Sequence, residues 1–191
     1  LHNTVDNLVI KIDKILKTFE NGRFLKEGIN TVIVGKPNAG KSSLLNILVG
    51  EERAIVTEIA GTTRDVLEEQ INLNGITLNV MDTAGIRDTE DVVEKIGVDR
   101  ARTYASKADL VIYVIDASTE LDESDYEIMD LLRDKKAIVL LNKSDLDTKV
   151  TVEEVQHILD KKIIPISAKE HQGIDELEET IRNMFFQGEV T

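Results

Sequence analysis

The sequence contains no cysteine among its 191 residues. Disulfide bonds, thiolate catalysis and cysteine-held metal ions are therefore excluded for these residues. No apolar run approaches the roughly 20 residues that a membrane-spanning helix needs. The first twenty residues mix charged with apolar side chains, which is not the pattern of a signal peptide. We therefore expect a cytoplasmic location and no membrane partner.

Basic residues are scarce relative to acidic ones, with 23 Lys and Arg against 36 Asp and Glu and a formal net charge of −13. Proteins that bind nucleic acid through charge need clustered basic side chains to neutralise the phosphates. A face of that kind is not expected here. A small phosphorylated ligand can still bind at a local site. The chain length suits one α/β domain with an additional segment, or two very small domains.

One stretch combines glycines with a lysine and a serine at a diagnostic spacing. Residues 35–42 read Gly-Lys-Pro-Asn-Ala-Gly-Lys-Ser, which is the phosphate-binding P-loop pattern. The glycines let backbone N–H groups face phosphate oxygens, and the helix that follows presents its positive N-terminus to the anion. In this pattern Lys41 reaches the β- and γ-phosphates, and the Ser42 hydroxyl can bind Mg²⁺.

Strand and helix patterns alternate along the chain, which predicts an α/β fold of the P-loop NTPase type. We expect a mainly parallel sheet of about six strands with helices on both faces. The predicted strands are residues 29–34, 66–73, 76–81, 110–115, 137–141 and 163–166. The predicted helices are residues 43–49, ended by Gly50, then 96–107, 122–133, 151–159 and 174–186. Asn74-Gly75 predicts a hairpin, so one strand should be antiparallel.

Residues 1–24 place apolar side chains at three- and four-residue steps, which is typical of an amphipathic helix. This helix could pack on the nucleotide-binding domain or belong to a neighbouring helical domain, and we favour the second. The expected division is a leading helix and linker at 1–28, a nucleotide-binding domain at 29–186 and a return to the helical domain at 187–191. Leu1 in place of a methionine suggests a piece of a longer chain.

Further polar motifs follow the ends of other predicted strands, where ligands bind in open α/β sheets. In Asp82-Thr83-Ala84-Gly85, the carboxylate could hold Mg²⁺ through water and the Gly85 N–H could meet a γ-phosphate. In Asn142-Lys143-Ser144-Asp145, the Asp145 carboxylate could accept hydrogen bonds from N1–H and the amine of guanine. Adenine lacks this donor pair and would leave the carboxylate unpaired. Lys143 could lie along the base, and Asn142 could link this loop to the P-loop.

Together with Ser167-Ala168-Lys169, where a backbone N–H could meet the guanine O6, these motifs resemble the signature motifs of the GTPase superfamily. The P-loop, Gly61-Thr62-Thr63-Arg64-Asp65 and the stretch from Asp82 to Arg87 resemble the TrmE/Era/Der branch. Residues 92–98 are most similar to the MnmE (TrmE) family of tRNA wobble-uridine modification GTPases. That resemblance implies a G domain inserted into a helical domain, which fits the leading helix.

The resemblance implies GTP as the substrate, with Mg²⁺ and K⁺ as cofactors. It assigns Mg²⁺ to Ser42, Thr63 and Asp82, and K⁺ to Asn38, Thr57, Ile59 and Thr62. The nucleotide-binding candidates are Asn38, Ala39, Gly40, Lys41, Ser42, Ser43, Thr57, Gly61, Thr62, Thr63, Asp82, Thr83, Ala84, Gly85, Asn142, Lys143, Asp145, Ser167, Ala168 and Lys169.

Hydrolysis needs a group that orients water, and the residue after Asp-x-x-Gly is Ile86, which can neither donate nor accept. Spacing alone does not choose among the acidic residues that follow, namely Asp88, Glu90, Asp91 and Glu94. The resemblance selects Glu94. Arg64 and Arg87 are both candidates for an arginine finger in cis, with Arg64 taken as the catalytic candidate. A K⁺ ion would supply the same charge and leave Arg64 to order its loop.

The resemblance also implies a homodimer through the G domains in the GTP state. It implies a partner tRNA-modification protein and tRNA, both bound through domains outside this chain. Two alternatives remain. A Der/Era-type domain acting in ribosome assembly would share the P-loop and the Gly-Thr-Thr-Arg motif. A regulatory module that binds GTP with little hydrolysis would be compatible with Ile86.

Overall fold

A computed structural model describes residues 7–12, 22, 24, 26–36, 39–51, 69–73, 75–81, 95–143, 147–167 and 172–186. The strands within these ranges are β1 (Ile29–Val34), β2 (Glu69–Leu73), β3 (Ile76–Met81), β4 (Leu110–Asp116), β5 (Ala137–Asn142) and β6 (Lys162–Pro165). The helices are α1 (Lys41–Glu51), α2 (Lys95–Ala105), α3 (Glu123–Leu132), α4 (Val152–Ile158) and α5 (Ile174–Phe185). Residues 7–12, 22, 24, 26 and 27 are also helical.

The six strands form one sheet in the order β2-β3-β1-β4-β5-β6. Strands β2 and β3 pair in antiparallel fashion across the predicted hairpin, and all other neighbours are parallel. The predicted fold class is confirmed. Strand β1 has β3 on one side and β4 on the other, so the strand order reverses at β1. Ligands of open α/β sheets bind at such a reversal, and a ligand crevice is therefore expected beside the carboxyl end of β1.

Side chains of the central strands alternate between two cores because successive strand residues point to opposite faces. On β4, Ile112 and Val114 belong to the core that contains α1 and α5 residues. Val111, Tyr113 and Ile115 belong to the core that contains residues of α2, α3 and α4. Helices therefore cover both faces, as predicted. The near-continuous apolar runs of the parallel strands follow from this burial on both sides.

Within the described residues, the element bounds agree with the predicted ones to within one or two residues, and two differences are informative. The predicted stop of the first helix at Gly50 is wrong, because α1 includes Gly50 and continues to Glu51. A glycine at an exposed helical position lowers helix stability without ending the helix. Strand β6 begins one residue earlier than predicted, because Lys162 pairs with Ile138 and Pro165 pairs with Leu141. Proline is tolerated there since β6 is an edge strand.

Of the described residues before β1, Phe24 contributes its side chain to the core. Phe24 is buried and packs edge-on against Phe185 of α5, with ring centroids 4.9 Å apart. Farther upstream, the apolar side chains at Leu8, Val9, Ile10 and Ile12 are exposed. The expected boundaries at 1–28, 29–186 and 187–191 stay predictions. None of the helices in the described ranges combines the length and apolar character needed to cross a bilayer.

The substitution Phe24→Ala tests the contact between this segment and the sheet. Removing a buried ring that packs edge-on against Phe185 should lower the free energy of unfolding by about 3 kcal/mol. Tyr126→Ala, at an exposed ring, is the matched control and should change stability by less than about 0.5 kcal/mol. Urea denaturation would measure both, and equal midpoints for the two variants would contradict the packing.

Candidate nucleotide-binding site

The first half of the P-loop leaves β1 in close contact with β4. A Cβ at Gly35 would lie 2.5 Å from the carbonyl oxygen of Val114, so only glycine fits between the strands. Lys41, the first residue of α1, is 6% exposed and donates from Nζ to the Gly35 carbonyl at 2.7 Å. This hydrogen bond places the lysine ammonium beside the first residue of the loop. The P-loop pattern requires a cation near the loop.

The second half of the P-loop is held by β5. Asn142 donates from Nδ2 to the carbonyl of Ala39 at 2.9 Å, which is the link between the two loops expected from the sequence. Gly40 has a φ of +104°, and a Cβ there would overlap the Asn142 amide nitrogen. Gly40 is therefore needed for its left-handed backbone and for the close approach of Asn142.

The first turn of α1 presents accessible hydroxyl groups beside this loop. Ser42 and Ser43 are exposed, and the N-terminus of an 11-residue helix favours anions. An exposed serine hydroxyl is also an oxygen ligand of the kind that Mg²⁺ accepts, so Ser42 fits its expected role. The other expected Mg²⁺ ligands, Thr63 and Asp82, lie outside the described residues.

An ion pair joins the ends of β4 and β5, which lie side by side with Asp116 opposite Asn142. Lys143 has a φ of +63° and donates from Nζ to Asp116 Oδ2 at 2.8 Å. Burial opposes ionisation of Asp116, but hydrogen bonds from Lys143 and Ser118 outweigh it and lower the pKa of the carboxyl group. The aspartate orients Lys143, a predicted base-contacting residue. Asp116 directly follows the predicted strand 110–115, and no sequence motif assigned it a role.

The loop after β6 begins next to the end of β5. Ile166 donates from its N–H to the carbonyl of Leu141 at 2.8 Å. Ser167 is fully buried and exchanges two backbone hydrogen bonds with Gln172, at 3.2 and 3.0 Å. This pairing brings Ser167, the first residue of the predicted guanine O6 motif, to the same edge as Asn142.

Lys36, the second P-loop residue, contacts two carboxylates that no sequence motif connects with the loop. Its Nζ lies 3.0 Å from Asp122 Oδ2 and 2.9 Å from Asp125 Oδ2. Burial opposes the charge of Lys36, but the hydrogen bonds and negative charges of Asp125 and Asp122 outweigh it and raise the lysine pKa. No local sequence signal connects Lys36 with Asp122, which lies 86 residues farther along the chain.

The structure thus brings together the predicted residues Ala39, Gly40, Lys41, Ser42, Ser43, Asn142, Lys143 and Ser167 at one edge of the sheet. The remaining predicted residues lie outside the described ranges, and their roles stay predictions. They are Asn38, Thr57, Ile59, Gly61, Thr62, Thr63, Arg64, Asp82, Thr83, Ala84, Gly85, Glu94, Asp145, Ala168 and Lys169.

A P-loop between β1 and α1, linked to an Asn-Lys motif at the end of β5 in a sheet of this order, defines a P-loop GTPase domain. The chain belongs to the 50S ribosome-binding GTPase family, whose sequence profile matches residues 30–143.

Curated relatives match the whole chain. It is 56% identical over 191 residues to the tRNA modification GTPase MnmE of Lachnoclostridium phytofermentans, and 51% identical over 191 residues to that of Clostridioides difficile. The chain spans 42% of the length of each of these two relatives.

Solved structures agree with the fold. The G domain of the T. maritima FeoB iron transporter is 29% identical with a TM-score of 0.58, over 80% of this chain and 96% of that one. Era in complex with MgGDPNP and a segment of 16S ribosomal RNA is 32% identical with a TM-score of 0.57, over 85% of this chain and 58% of that one.

Two glycine substitutions distinguish a glycine that the P-loop requires for GTP binding from a glycine that lies within the following helix. Gly40→Ala should weaken GTP binding about tenfold or more, because the new Cβ displaces Asn142 and the residue is strained at positive φ. Gly50→Ala, in α1 with open space around the new Cβ, should keep GTP affinity and raise stability by about 0.5 kcal/mol. Calorimetric titration and thermal unfolding would measure both. Equal GTP affinities in the two variants would be inconsistent with the geometry at Gly40.

Proposed function

We propose that the chain is the G domain of a tRNA wobble-uridine modification protein of the MnmE type, and that it binds and hydrolyses GTP. The observation that carries the proposal is the 56% identity to an MnmE protein over all 191 residues, including the segment before β1. This whole-chain match favours the MnmE type over a Der/Era-type domain of ribosome assembly. Because the chain spans 42% of that relative, the tRNA chemistry is assigned to other parts of the protein.

The residues of the P-loop would bind the phosphates by position and charge. Lys41 holds its ammonium beside the first residue of the loop, and Gly40 would allow the backbone to follow the phosphate chain. Phosphoryl transfer requires little beyond positioning and charge stabilisation, because the transition state spreads negative charge over the phosphoryl oxygens. Ser42, Thr63 and Asp82 would hold Mg²⁺, which neutralises phosphate charge when bound.

Guanine would be selected at the ends of β5 and β6. Asn142 is joined to the P-loop by its hydrogen bond to Ala39, and it would thereby position Asp145, three residues farther along. Lys143 is held beside the strand end by Asp116. The Asp145 carboxylate would accept hydrogen bonds from N1–H and the amine of guanine. A backbone N–H of the loop that begins at Ser167 would donate to the guanine O6. Selection follows because a base without those donors leaves a carboxylate unpaired.

Nucleotide preference tests this assignment directly. The unaltered chain should bind GTP at least about 100-fold more tightly than ATP, and Asp145→Asn should shift preference toward xanthosine triphosphate by about tenfold or more. Fluorescent-nucleotide competition would measure the affinities. The proposed function is wrong if the unaltered chain does not prefer GTP over ATP. An unchanged ratio of GTP to xanthosine triphosphate affinity in the variant would remove Asp145 from the base site.

For hydrolysis, Glu94 would orient the attacking water, and Arg64 would order the loop that contains Thr62 and Thr63. K⁺, held by Asn38, Thr57, Ile59 and Thr62, would add positive charge near the phosphates. Two copies of the domain would meet through their nucleotide-binding faces in the GTP state. These assignments rest on the family resemblance and concern residues outside the described ranges.

Turnover in KCl and in NaCl distinguishes an enzyme of this type from a GTP-binding module with little hydrolysis. GTP hydrolysis should be at least about tenfold faster in KCl, and Glu94→Ala should lose this rate about 100-fold while keeping GTP affinity, because it removes a group acting in the transition state. Glu127→Ala, at an exposed acidic residue of α3, is the control and should hydrolyse normally. Equal rates in both salts would refute the K⁺ assignment, and a fully active Glu94→Ala would refute the water-orienting role.

A further inference from the structure

We propose that Lys36 is a positioning residue for the phosphates, and that it acts by fastening the first half of the P-loop to the N-terminal turn of α3. This inference rests on the proposed GTP binding and adds a residue with no role in the motif-based assignment. It arises from three features: a lysine inside the P-loop, a buried carboxylate that receives it, and the independent fixation of that carboxylate.

The carboxylate that receives Lys36 is held in place by groups outside the P-loop. Asp125 has a side chain only 2% exposed, and it accepts a hydrogen bond from the hydroxyl of Tyr113 on β4. Tyr113 is fully buried and lies opposite Val34, the last residue of β1. The hydrogen bond from Tyr113 therefore holds the Asp125 carboxylate in position independently of Lys36.

The same carboxylate belongs to a capping box at the start of α3. Asp125 Oδ2 accepts from the backbone N–H of Asp122 at 3.0 Å, and Asp122 Oδ1 accepts from the backbone N–H of Asp125 at 3.2 Å. A capping box fixes the helix start by satisfying two of its unpaired N–H groups. Lys36 lies within 3.0 Å of both acidic side chains, so it contacts a rigid turn of the protein.

A buried carboxylate is unfavourable unless a counter-charge and hydrogen bonds compensate it. Lys36 supplies that charge, and its own side chain is 18% exposed. Because the ammonium is engaged by two carboxylates, it is directed away from a phosphate-binding role. Its effect on nucleotide is transmitted through the backbone of the P-loop.

The backbone of Lys36 takes part in the turn that shapes the loop. The Lys36 carbonyl accepts from the N–H of Ala39 at 3.2 Å, and the carbonyl of the preceding Gly35 accepts from Lys41 Nζ. The P-loop is thus fastened at Lys36 to α3 and at Ala39 to Asn142 of β5. Preorganised N–H groups bind phosphate without a reorganisation penalty, so loss of either fastening should weaken phosphate binding.

The test compares GDP and GMP affinities of the 191-residue chain with those of Lys36→Met, Lys36→Arg and Asp125→Asn. We expect Lys36→Met to weaken GDP binding about tenfold and GMP binding less than about threefold, because GMP lacks the β-phosphate. Lys36→Arg should stay within about threefold of the unaltered chain, since a guanidinium can also bind two carboxylates. Arg133→Met, which breaks an exposed ion pair with Asp130 at the other end of α3, is the matched control and should bind GDP normally.

Asp125→Asn separates positioning from a direct contact with phosphate. If Lys36 positions the loop, Asp125→Asn weakens GDP binding as Lys36→Met does. The double variant Lys36→Met/Asp125→Asn, which carries no unpaired buried charge, should then be no weaker than Lys36→Met alone. If Lys36 instead acts on the phosphates, Asp125→Asn leaves GDP affinity unchanged or increases it, and the proposal is overturned.

The remaining outcomes are also decisive. The inference fails if Lys36→Met binds GDP normally, if GDP and GMP affinities fall equally, or if Lys36→Arg is as weak as Lys36→Met. Should Lys36→Met prove unfolded by circular dichroism, the comparison is made in the charge-neutral double variant, where normal GDP affinity overturns the proposal. Failure of the unaltered chain to bind GDP would contradict the proposed function, which is a different result.

Discussion

The nucleotide site depends on the parallel pairing of β1, β4 and β5, which brings their carboxyl ends to one edge of the sheet. The register sets Val34 opposite Tyr113 and Asp116 opposite Asn142. With these strands in register, residues more than 100 positions apart can share a hydrogen bond, as Asn142 and Ala39 do. Strand pairing supplies the coarse geometry, and the side-chain contacts at the strand ends fix the loops between them.

The placement of charge at this edge explains how a strongly acidic chain can bind a triphosphate. Among the described residues near the strand ends, Lys36 is engaged by Asp122 and Asp125, and Lys143 by Asp116. Lys41 donates to the carbonyl of Gly35, which places its ammonium beside the loop that the P-loop pattern assigns to the phosphates. The net charge of −13 therefore repels anions at long range, but it does not prevent a triphosphate from binding at this local site.

The sequence predicted the fold class well, because β-branched runs and helical periodicity are local signals that survive burial. The hairpin was equally accessible, since Gly75 at φ +95° has the conformation that the Asn-Gly pattern predicts. Gly50 was misread because glycine marks a helix end only where a left-handed residue is required, and α1 continues through it.

The P-loop and its link to Asn142 were predictable from motifs. The partners of Lys36 were not, because the contact depends on where the N-terminus of α3 lies after the sheet has formed. Roles assigned within residues 52–68 and 82–94 stay predictions, as those residues are outside the described ranges.

The two fastenings of the P-loop differ in physical kind. Asn142 uses a neutral hydrogen bond to the backbone, worth about 1 kcal/mol in a typical protein. Lys36 uses a partly buried ion pair, whose desolvation offsets much of its attraction, so such a pair contributes little net stability while remaining costly to break. An interaction of that kind specifies geometry more than it adds to the free energy of unfolding. A loop whose task is to hold backbone N–H groups at fixed positions around a charged ligand benefits from such a constraint, because any movement away from it leaves the buried Asp125 carboxylate without its counter-charge.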